Sequence, residues 1–389
     1  MPSPSPASSS AEAVAGPSGA RSAPLVVVGL SARALAEACR RAGRAVLAVD
    51  LFDDADTRAA AAASRRVDGS FAAGPDLAAT LAAIDALVAG SGLAPAGIVA
   101  GSGFEHRPRA LAALARRLPL LGAPPAAVGM VKDPAGLATL LARLGVPHPD
   151  TSLAAPADPE NWLAKRAGAA GGHHVRPAAG LAAAPRRYFQ RRVEGRMLSA
   201  AFLADGRRAR LLAFCETRTD PAANAPFRFS GVIGPVDVVP GLAAAVTGAL
   251  DAIVAATGLS GLCGADLVAD ETGAWWLLEI NPRPTAALDV LDRGDAPLID
   301  LHLSAVAGAL PEAWRPPAEP AGTAVVFAPR AFTVPETAWP EWMSDRPRPG
   351  AAIGAGEPVV TVRAAGPSPA SVADKLMSLR GDALARLIG

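Results

Sequence analysis

Apolar segments of strand length alternate with helical segments through the first hundred residues, and this alternation constrains the fold most. Residues 25–29 (LVVVG) and 45–50 (AVLAVD) predict two buried strands, and the segment SARALAEACRRAG between them predicts a helix that Gly43 closes. A helix near residues 77–89, a strand at 97–103 and a helix from Pro108 continue the pattern. Strands separated by helices are typical of a parallel, doubly wound sheet, so we predict an α/β domain here.

The chain changes character beyond residue 123. Residues 124–150 predict two short helices that end in a Gly-x-Pro-x-Pro segment, which is typical of a crossing between domains. Short strands around a glycine-rich loop are predicted up to residue 234, followed by a helix at 241–258 and a hairpin at 264–280. A Pro-rich linker then precedes two strands and a closing helix. The fold class is therefore α/β plus α+β.

Charge and cysteine content exclude several classes of function. The 389 residues carry 37 basic and 36 acidic side chains, a net charge of +1, so we expect no nucleic acid and no membrane as partner. No apolar run reaches the ~18 residues that span a bilayer. The three cysteines have no recurrent spacing, which argues against disulfides and a CxxC metal site and suits a cytoplasmic protein. The Ser-, Pro- and Ala-rich residues 1–23 predict a disordered tail without a secretory signal.

Only three of the 37 basic residues are lysines, so each surviving lysine is a candidate for a role that arginine cannot fill. Lys165 ends an apolar strand and precedes a loop that contains Gly168, Gly171 and Gly172. Such a loop lets backbone N–H groups surround phosphate oxygens, although a glycine-rich turn on its own is more often only a turn. The adjacent His173 and His174 point in opposite directions on an extended chain, which argues against a zinc site.

The hairpin GADLVADETGAWWLLEINPRP carries the strongest chemical signal. A turn that pairs Asp270 with Trp275 places Asp266 opposite Glu279. Period two then puts Glu279, Asn281 and Arg283 on one face, with Trp276, Leu278 and Ile280 on the other. Facing carboxylates with no basic partner repel, and Mg²⁺ prefers such carboxylate and amide oxygens, so we predict a metal site. The alternative is an exposed acidic hairpin face.

This order of elements resembles the ATP-grasp superfamily, which includes biotin carboxylase and D-alanine–D-alanine ligase. The similarity runs from about residue 25 to residue 284, and each motif is weak while their joint order is specific. The family pattern has a lysine near the domain crossing, a strand lysine before a flexible glycine loop, a hinge strand, and an Asp followed by Glu and Asn. These positions fall on the following residues: Lys132, Lys165, Gly168 to Gly172, Gln190 to Ser199, Asp266, Glu279 and Asn281. Gln190 replaces the commoner glutamate at the adenine edge, and Met197 replaces a ribose-binding acid.

The resemblance implies an ATP-grasp fold with a Rossmann-like N-terminal domain and a small β-rich C-terminal extension. It implies these divisions: tail 1–23, Rossmann-like domain 24–123, ATP-grasp N-subdomain 124–187, ATP-grasp C-subdomain 188–312 and extension 313–389. It also implies ATP and Mg²⁺ (or Mn²⁺) as cofactors. ATP would be held by the residues Lys132, Lys165, Gly168, Gly171, Gly172, His174, Gln190 and Val193. The metal ligands would be Asp266, Glu279 and Asn281, and Lys165 and Arg283 would serve catalysis.

The implied activity is ATP-dependent ligation of a carboxylate to an amine through an acyl phosphate. The segments QRRVEGRMLSAAFLADG and RFSGVIGP most resemble ligases linked to methanofuran and methanopterin, including the tyramine–glutamate ligase type. We expect small-molecule carboxylate and amine partners, and a homodimer is compatible with the resemblance. Candidate substrate contacts are Ser31, Arg33, Glu105 and residues 228–231.

Three alternatives remain open on the sequence. An ATP-dependent carboxylase of the biotin-carboxylase or purine-pathway type would share the fold and use bicarbonate. A non-catalytic nucleotide-binding protein would have little need of Glu279 together with Asn281. A dinucleotide-dependent oxidoreductase is disfavoured because the first turn, VVGLSARAL, lacks the G-x-G-x-x-G fingerprint.

Overall fold

The computed structural model describes residues 23–388, so most of the predicted tail lies outside the described residues. The N-terminal part contains a parallel sheet in the order β3-β2-β1-β6, flanked by helices, as predicted. Its two central strands are fully buried, which explains why they read as nearly continuous apolar runs, whereas the edge strand β3 is partly exposed. The elements are β1 (Leu25–Val28), α1 (Arg33–Arg41), β2 (Val46–Asp50), α2 (Ala55–Ala60), β3 (Ala63–Arg66), β4 (Gly69–Ser70), β5 (Gly74–Pro75), α3 (Leu77–Ser91), β6 (Ile98–Ala100) and α4 (Pro108–Arg117).

Two helices lead from this sheet into a small antiparallel sheet in the order β7-β10-β8-β9. Both helices have proline in their first turn, and the second ends at Gly145, whose φ of 66° is the left-handed conformation that glycine adopts at helix ends. The elements are α5 (Pro125–Lys132), α6 (Pro134–Leu144), β7 (Thr151–Ser152), β8 (Trp162–Arg166), β9 (Arg176–Pro177) and β10 (Arg187–Arg191).

An eight-stranded sheet forms the largest part of the molecule, in the order β15-β14-β11-β12-β13-β16-β20-β18. Its strands and the helices between them are β11 (Arg196–Asp205), β12 (Ala209–Thr219), β13 (Phe229–Val236), α7 (Leu242–Thr257), β14 (Ser260–Ala269), β15 (Trp275–Asn281), α8 (Ala287–Leu291), α9 (Leu298–Val306), β16 (Ala321–Phe327), β18 (Met343–Ser344), β20 (Pro358–Ala365) and α10 (Pro369–Ile388). The short strands β17 (Phe332–Thr333) and β19 (Ala352–Ile353) pair with each other in a separate two-stranded sheet.

The segment after the Pro-rich linker completes this sheet. Strand β16 pairs with β13, and β20 pairs with both β16 and β18. Residues predicted as a C-terminal extension therefore share one hydrogen-bonded sheet with the hairpin β14–β15. Among residues 23–388, no helix combines the length and the apolar character needed to cross a membrane.

The register of the β14–β15 hairpin differs from the prediction, but Asp266 lies opposite Glu279 as predicted. Trp275 pairs with Ala269 rather than with Asp270, and a bulge between the pairs of Leu267 and Asp266 then restores Asp266 opposite Glu279. The extra residue at the bulge reverses the alternation of faces. The core-facing side chains are consequently Trp275, Leu277 and Ile280, whereas Trp276 and Leu278 are only partly buried, so the predicted apolar face was wrong.

Candidate active site

Asp266, Glu279 and Asn281 meet on the β14–β15 hairpin. Asp266 pairs with Glu279 across the strands, and Asn281 pairs with Gly264. The Asn281 side chain is buried and donates a hydrogen bond from Nδ2 to Asp266 Oδ2 at 2.8 Å. Two carboxylates and an amide oxygen therefore lie within reach of one position, and these are donors that Mg²⁺ prefers.

Lys132, at the C-terminal end of α5, contacts two of these side chains. Its ammonium forms an ion pair with Glu279, and Nζ donates a hydrogen bond to Asn281 Oδ1 at 3.1 Å. The expectation that the facing carboxylates have no basic partner is therefore wrong. The partner was missed because it is 147 residues from Glu279 in sequence and reaches the hairpin only through the packing of α5 against β15.

The pKa values of the two carboxyl groups are shifted in opposite directions. Burial raises the pKa of Glu279, but the charge and hydrogen bond of Lys132 outweigh burial, so this pKa lies below its usual range. Burial and the charge of Glu279 raise the pKa of Asp266 above its usual range. The ammonium of Lys132 thus stabilises the ionised form of Glu279 and leaves Asp266 as the more basic of the pair.

Lys165 and Gln190 extend toward each other from β8 and β10. The pairs Lys165–Tyr188 and Leu163–Gln190 place these side chains near one another on adjacent strands. Lys165 donates a hydrogen bond from Nζ to Gln190 Oε1 at 2.6 Å. Burial lowers the pKa of Lys165, while the charges of Glu279 and Asp266 oppose this effect. The second predicted lysine therefore lies in the electrostatic range of the carboxylate pair.

A cavity of about 500 Å³ opens among these residues. Lys132, Gln190, Glu279, His174 and the loop residue Gly168 are in its lining, together with apolar side chains of α6. The Nδ1 atom of His174 is buried and has no hydrogen-bond partner among residues 23–388, so it is available to a ligand. The lining does not include Val193, which was predicted to present its backbone to adenine, or Lys165, Gly171 and Gly172.

The loop glycines are required for close packing. A Cβ on Gly168 would lie 2.0 Å from Cβ of His106, and a Cβ on Gly172 would lie 1.9 Å from the carbonyl oxygen of Phe227. Both have positive φ, 71° and 70° respectively. Gly171 accepts a hydrogen bond from the Phe229 N–H at 2.9 Å. The loop thus packs against His106 on one side and against Phe227 on the other, beside the cavity described above.

Arg283 follows the hairpin and contacts the N-terminal sheet. Its guanidinium forms an ion pair with the buried Glu105, and Nη1 donates to the Pro284 carbonyl at 3.0 Å. Glu105 also accepts a hydrogen bond from the Gly103 N–H at 2.7 Å. Burial raises the pKa of Glu105, but the charges of Arg283 and Lys132 lower it to about 2. Glu105, a candidate substrate contact, is thus paired with Arg283.

Two other candidate substrate contacts are occupied by protein partners. Arg33 is 4% exposed and is bound to Asp289 at 2.5 Å and to Asp345 at 2.8 Å. Ser31 lies 3.5 Å from the same Asp345. Arg33 therefore joins α1 to α8 and to the end of β18, and it is not free for a substrate.

Arg228, in the segment 228–231, is also engaged. Its Nη2 atom binds Asp220 at 2.9 Å, and the guanidinium lies 3.6 Å from the ring centroid of Phe327. His173 packs edge-on against the same ring. These contacts connect Arg228 and His173 to Phe327 at the end of β16.

Comparison with known proteins agrees with this geometry. A family profile described as an ATP-grasp domain matches residues 132–287. The biotin carboxylase domain of Hydrogenobacter thermophilus 2-oxoglutarate carboxylase, solved with MgADP, ADP and bicarbonate, is 14% identical with a TM-score of 0.70 over 91% of this chain and 88% of that chain. No curated protein matches the sequence.

Two further solved structures have the same fold. Biotin carboxylase from Campylobacter jejuni is 13% identical with a TM-score of 0.67, over 93% of this chain and 91% of that chain. N5-carboxyaminoimidazole ribonucleotide synthetase from Thermotoga maritima is 13% identical with a TM-score of 0.62, over 92% of this chain and 98% of that chain. The chain therefore has the ATP-grasp fold, which confirms the predicted fold class, and the matching ATP-grasp profile covers residues 132–287.

Proposed function

We propose that this protein is an ATP-dependent ligase that activates a carboxylate as an acyl phosphate and transfers the acyl group to an amine. The observation that supports this most is the grouping of Lys132 and Lys165 around the carboxylate pair Asp266–Glu279, of which Lys132 and Glu279 line the cavity. Arg283 follows the same hairpin, two residues beyond its last strand. Cations and metal-binding oxygens at one place suit a polyphosphate, because phosphoryl transfer depends on positioning and charge neutralisation.

ATP and Mg²⁺ fit the residues that line this site. The ammonium of Lys132 contacts Glu279 and Asn281, and this contact with a positive charge supports the same oxygens as metal ligands. When bound there, Mg²⁺ would supply charge neutralisation at the β- and γ-phosphates. Among residues 23–388, no three His, Cys, Asp or Glu side chains form a group that could hold a metal, so the proposed protein ligands are the two carboxylates and the amide oxygen.

The protein residues then have distinct tasks. Lys132 would leave Glu279 and bind phosphate oxygens, and Lys165 would do the same from the β8 strand. The loop with Gly168, Gly171 and Gly172 would cover the phosphates, while Gln190, His174 and the Val193 backbone would contact the nucleoside. Arg283 would neutralise the acyl phosphate and the tetrahedral intermediate that follows.

The reaction balances as two displacements. A carboxylate oxygen bonds to the γ-phosphorus as the bond to the ADP oxygen breaks, which releases ADP. The amine nitrogen then attacks the acyl carbon, phosphate leaves, and the nitrogen loses a proton. The resemblance of residues 190–206 to methanofuran- and methanopterin-linked ligases makes a glutamyl amide, with a role in one-carbon cofactor synthesis, one specific reaction to test.

An ATP-dependent carboxylase is the second candidate, because the solved structures of the same fold include a biotin carboxylase domain with bicarbonate. The two functions differ in what drives ADP release. ADP release should be measured with Mg²⁺ and panels of carboxylates and amines, each with and without bicarbonate. Release that needs a carboxylate and an amine together supports the ligase. Release driven by bicarbonate without an added carboxylate would identify the carboxylase, and ATP binding without release under any condition would leave a binding protein.

The oligomeric state is a separate proposal. The Hydrogenobacter biotin carboxylase domain is described as a dimer. A homodimer is accordingly the first state to examine for this chain, by sedimentation of the purified protein.

A further inference from the structure

A second cavity of about 380 Å³ lies beside Arg283. It is enclosed by the carboxyl end of β6, by α4 and α5, and by the segment Pro282–Pro284. It shares no lining residue with the first cavity. The two are nevertheless close, because Glu279 lines the first and Arg283 lines the second, and four residues of extended chain span at most ~13 Å.

The walls of this cavity are apolar and mostly buried. The side chains that form them are Phe104, Leu111, Leu120, Ala123, Val128 and Pro284. His302 also lines the cavity, but both of its ring nitrogens are occupied: Nδ1 accepts from the Leu262 N–H and Nε2 contacts the Leu121 carbonyl, each at 2.8 Å. A polar group placed against these walls would lose its hydration without gaining a partner. An occupant must therefore be apolar over the part that it buries.

One edge of the cavity carries charged side chains. Glu105 and Arg283 are the charged side chains in its lining. Both oxygens of Glu105 accept hydrogen bonds, one from Arg283 and one from the Gly103 N–H. Arg283 uses Nε and Nη1, and within the described residues no acceptor is found for its Nη2. The charge of Arg283 is paired with Glu105, and the hydrogen-bonding capacity that remains at this edge is Nη2, which can donate to a carboxylate.

We propose that this second cavity binds the apolar body of the carboxylic acid substrate and that Arg283 holds its carboxylate toward the first cavity. This inference rests on the proposed ligase function and names the class of acid: a monocarboxylate with a hydrocarbon chain or ring. Glutamate fits poorly as the donor, because its ammonium and second carboxylate would meet walls without partners.

Binding of straight-chain monocarboxylates from acetate to octanoate tests the proposal. Calorimetry in the presence of ADP and Mg²⁺ should show affinity rising by up to ~4-fold per methylene until the cavity is full. Pentanoate should bind more tightly than glutamate, which has the same number of carbons. Affinity that does not depend on chain length, or glutamate binding at least as tightly as pentanoate, would overturn the proposal.

Two cavity variants and one control locate the binding. Ala123→Leu fills the cavity and should weaken the binding of octanoate at least tenfold, while the affinity for acetate stays unchanged. Leu111→Ala enlarges it and should move the preference toward longer acids. The control is Ala126→Leu, the same substitution at an exposed position three residues away, and it should change neither the affinity for octanoate nor that for acetate. If the two cavity variants and the control variant show the same chain-length preference, the acid binds outside this cavity.

Turnover distinguishes this proposal from the proposed function. If affinity follows chain length but no acid supports ADP release, the cavity proposal stands and the ligase proposal fails. If acids support ADP release without any dependence on chain length or on residue 123, the ligase stands and the cavity proposal fails.

Discussion

Lys132 and Glu279 form a largely buried ion pair between the end of α5 and the β15 strand. Each was predicted from sequence for a different partner, the lysine for phosphate and the carboxylate for metal. In the nucleotide-free protein each therefore neutralises the other. When ATP and Mg²⁺ bind, Lys132 would pair with phosphate and Glu279 would pair with the metal. Before they bind, the ion pair keeps both buried charges neutralised.

The ion pair predicts the effect of Glu279→Gln on stability. Removing the charge leaves the ammonium of Lys132, which is 7% exposed, without its anion. Because Glu279 is partly exposed, we expect a loss of about 1–2 kcal/mol in the free energy of unfolding rather than the larger cost of a fully buried pair. Denaturant unfolding without Mg²⁺ measures this. Glu271→Gln, in the exposed turn of the same hairpin, is the matched control. Unchanged or higher stability would mean that repulsion from Asp266 dominates.

The same variant should reduce ADP release at saturating Mg²⁺ by ~100-fold or more, because the metal loses an anionic ligand. Glu271→Gln should retain wild-type turnover. Near-normal turnover of Glu279→Gln would remove Glu279 from the metal site whatever its effect on stability.

Lys165→Ala should weaken ATP binding at least ~10-fold, since a phosphate loses a charge-assisted contact. The variant also removes the hydrogen bond to Gln190, so Gln190→Ala separates the two effects. Equilibrium binding of a nonhydrolysable ATP analogue measures both. If Lys165→Ala binds the analogue as wild type does, or if Gln190→Ala accounts for the whole loss, the lysine does not contact phosphate.

Glu105→Gln should change how stability depends on pH. The pKa of Glu105 is about 2, against 4.5 for a free glutamate, so the folded state favours the ionised form. That stabilisation is complete above pH ~4.5 and is lost as the pH falls from there toward 2. Urea unfolding between pH 5 and pH 3 should show a smaller loss of stability in Glu105→Gln than in the wild type. Parallel profiles would indicate that the ion pair with Arg283 does not persist in solution.

Arg33→Lys tests the contacts that join α1 to α8 and to the end of β18. Lysine cannot bind Asp289 through two nitrogens while also reaching Asp345, so we expect a loss of about 1–3 kcal/mol in the free energy of unfolding. Affinity for ATP should be unchanged, because Arg33 lines neither cavity. Arg40→Lys, exposed on the same helix, should change neither quantity. A substrate role for Arg33 would instead appear as reduced acid affinity in a protein of normal stability.

The sequence was informative wherever local pattern decides structure. The buried strands before Ser31 and Phe52 are continuous apolar runs, and the prolines and Gly145 mark the ends of α5 and α6. Asp266 opposite Glu279 was predicted correctly, although the bulge that creates this pair has no local sequence signal and the predicted turn was one residue off.

Contacts between distant segments could not be predicted. Lys132 with Glu279, Glu105 with Arg283, and Arg33 with Asp289 each join elements more than a hundred residues apart. Such pairs depend on how the sheets pack, which periodicity does not specify. The long strands β12 and β13 were also read as short, because bulges in their pairing interrupt the alternation of apolar residues.

The central claim is that a carboxylate attacks ATP and becomes an acyl phosphate. Once a carboxylate that supports ADP release is found, it should be labelled with ¹⁸O in both carboxyl oxygens and used in a single complete turnover with its amine. If an acyl phosphate forms, one ¹⁸O atom appears in each inorganic phosphate released, as mass spectrometry of the phosphate would show. Unlabelled phosphate, formed together with the amide product, would exclude an acyl phosphate.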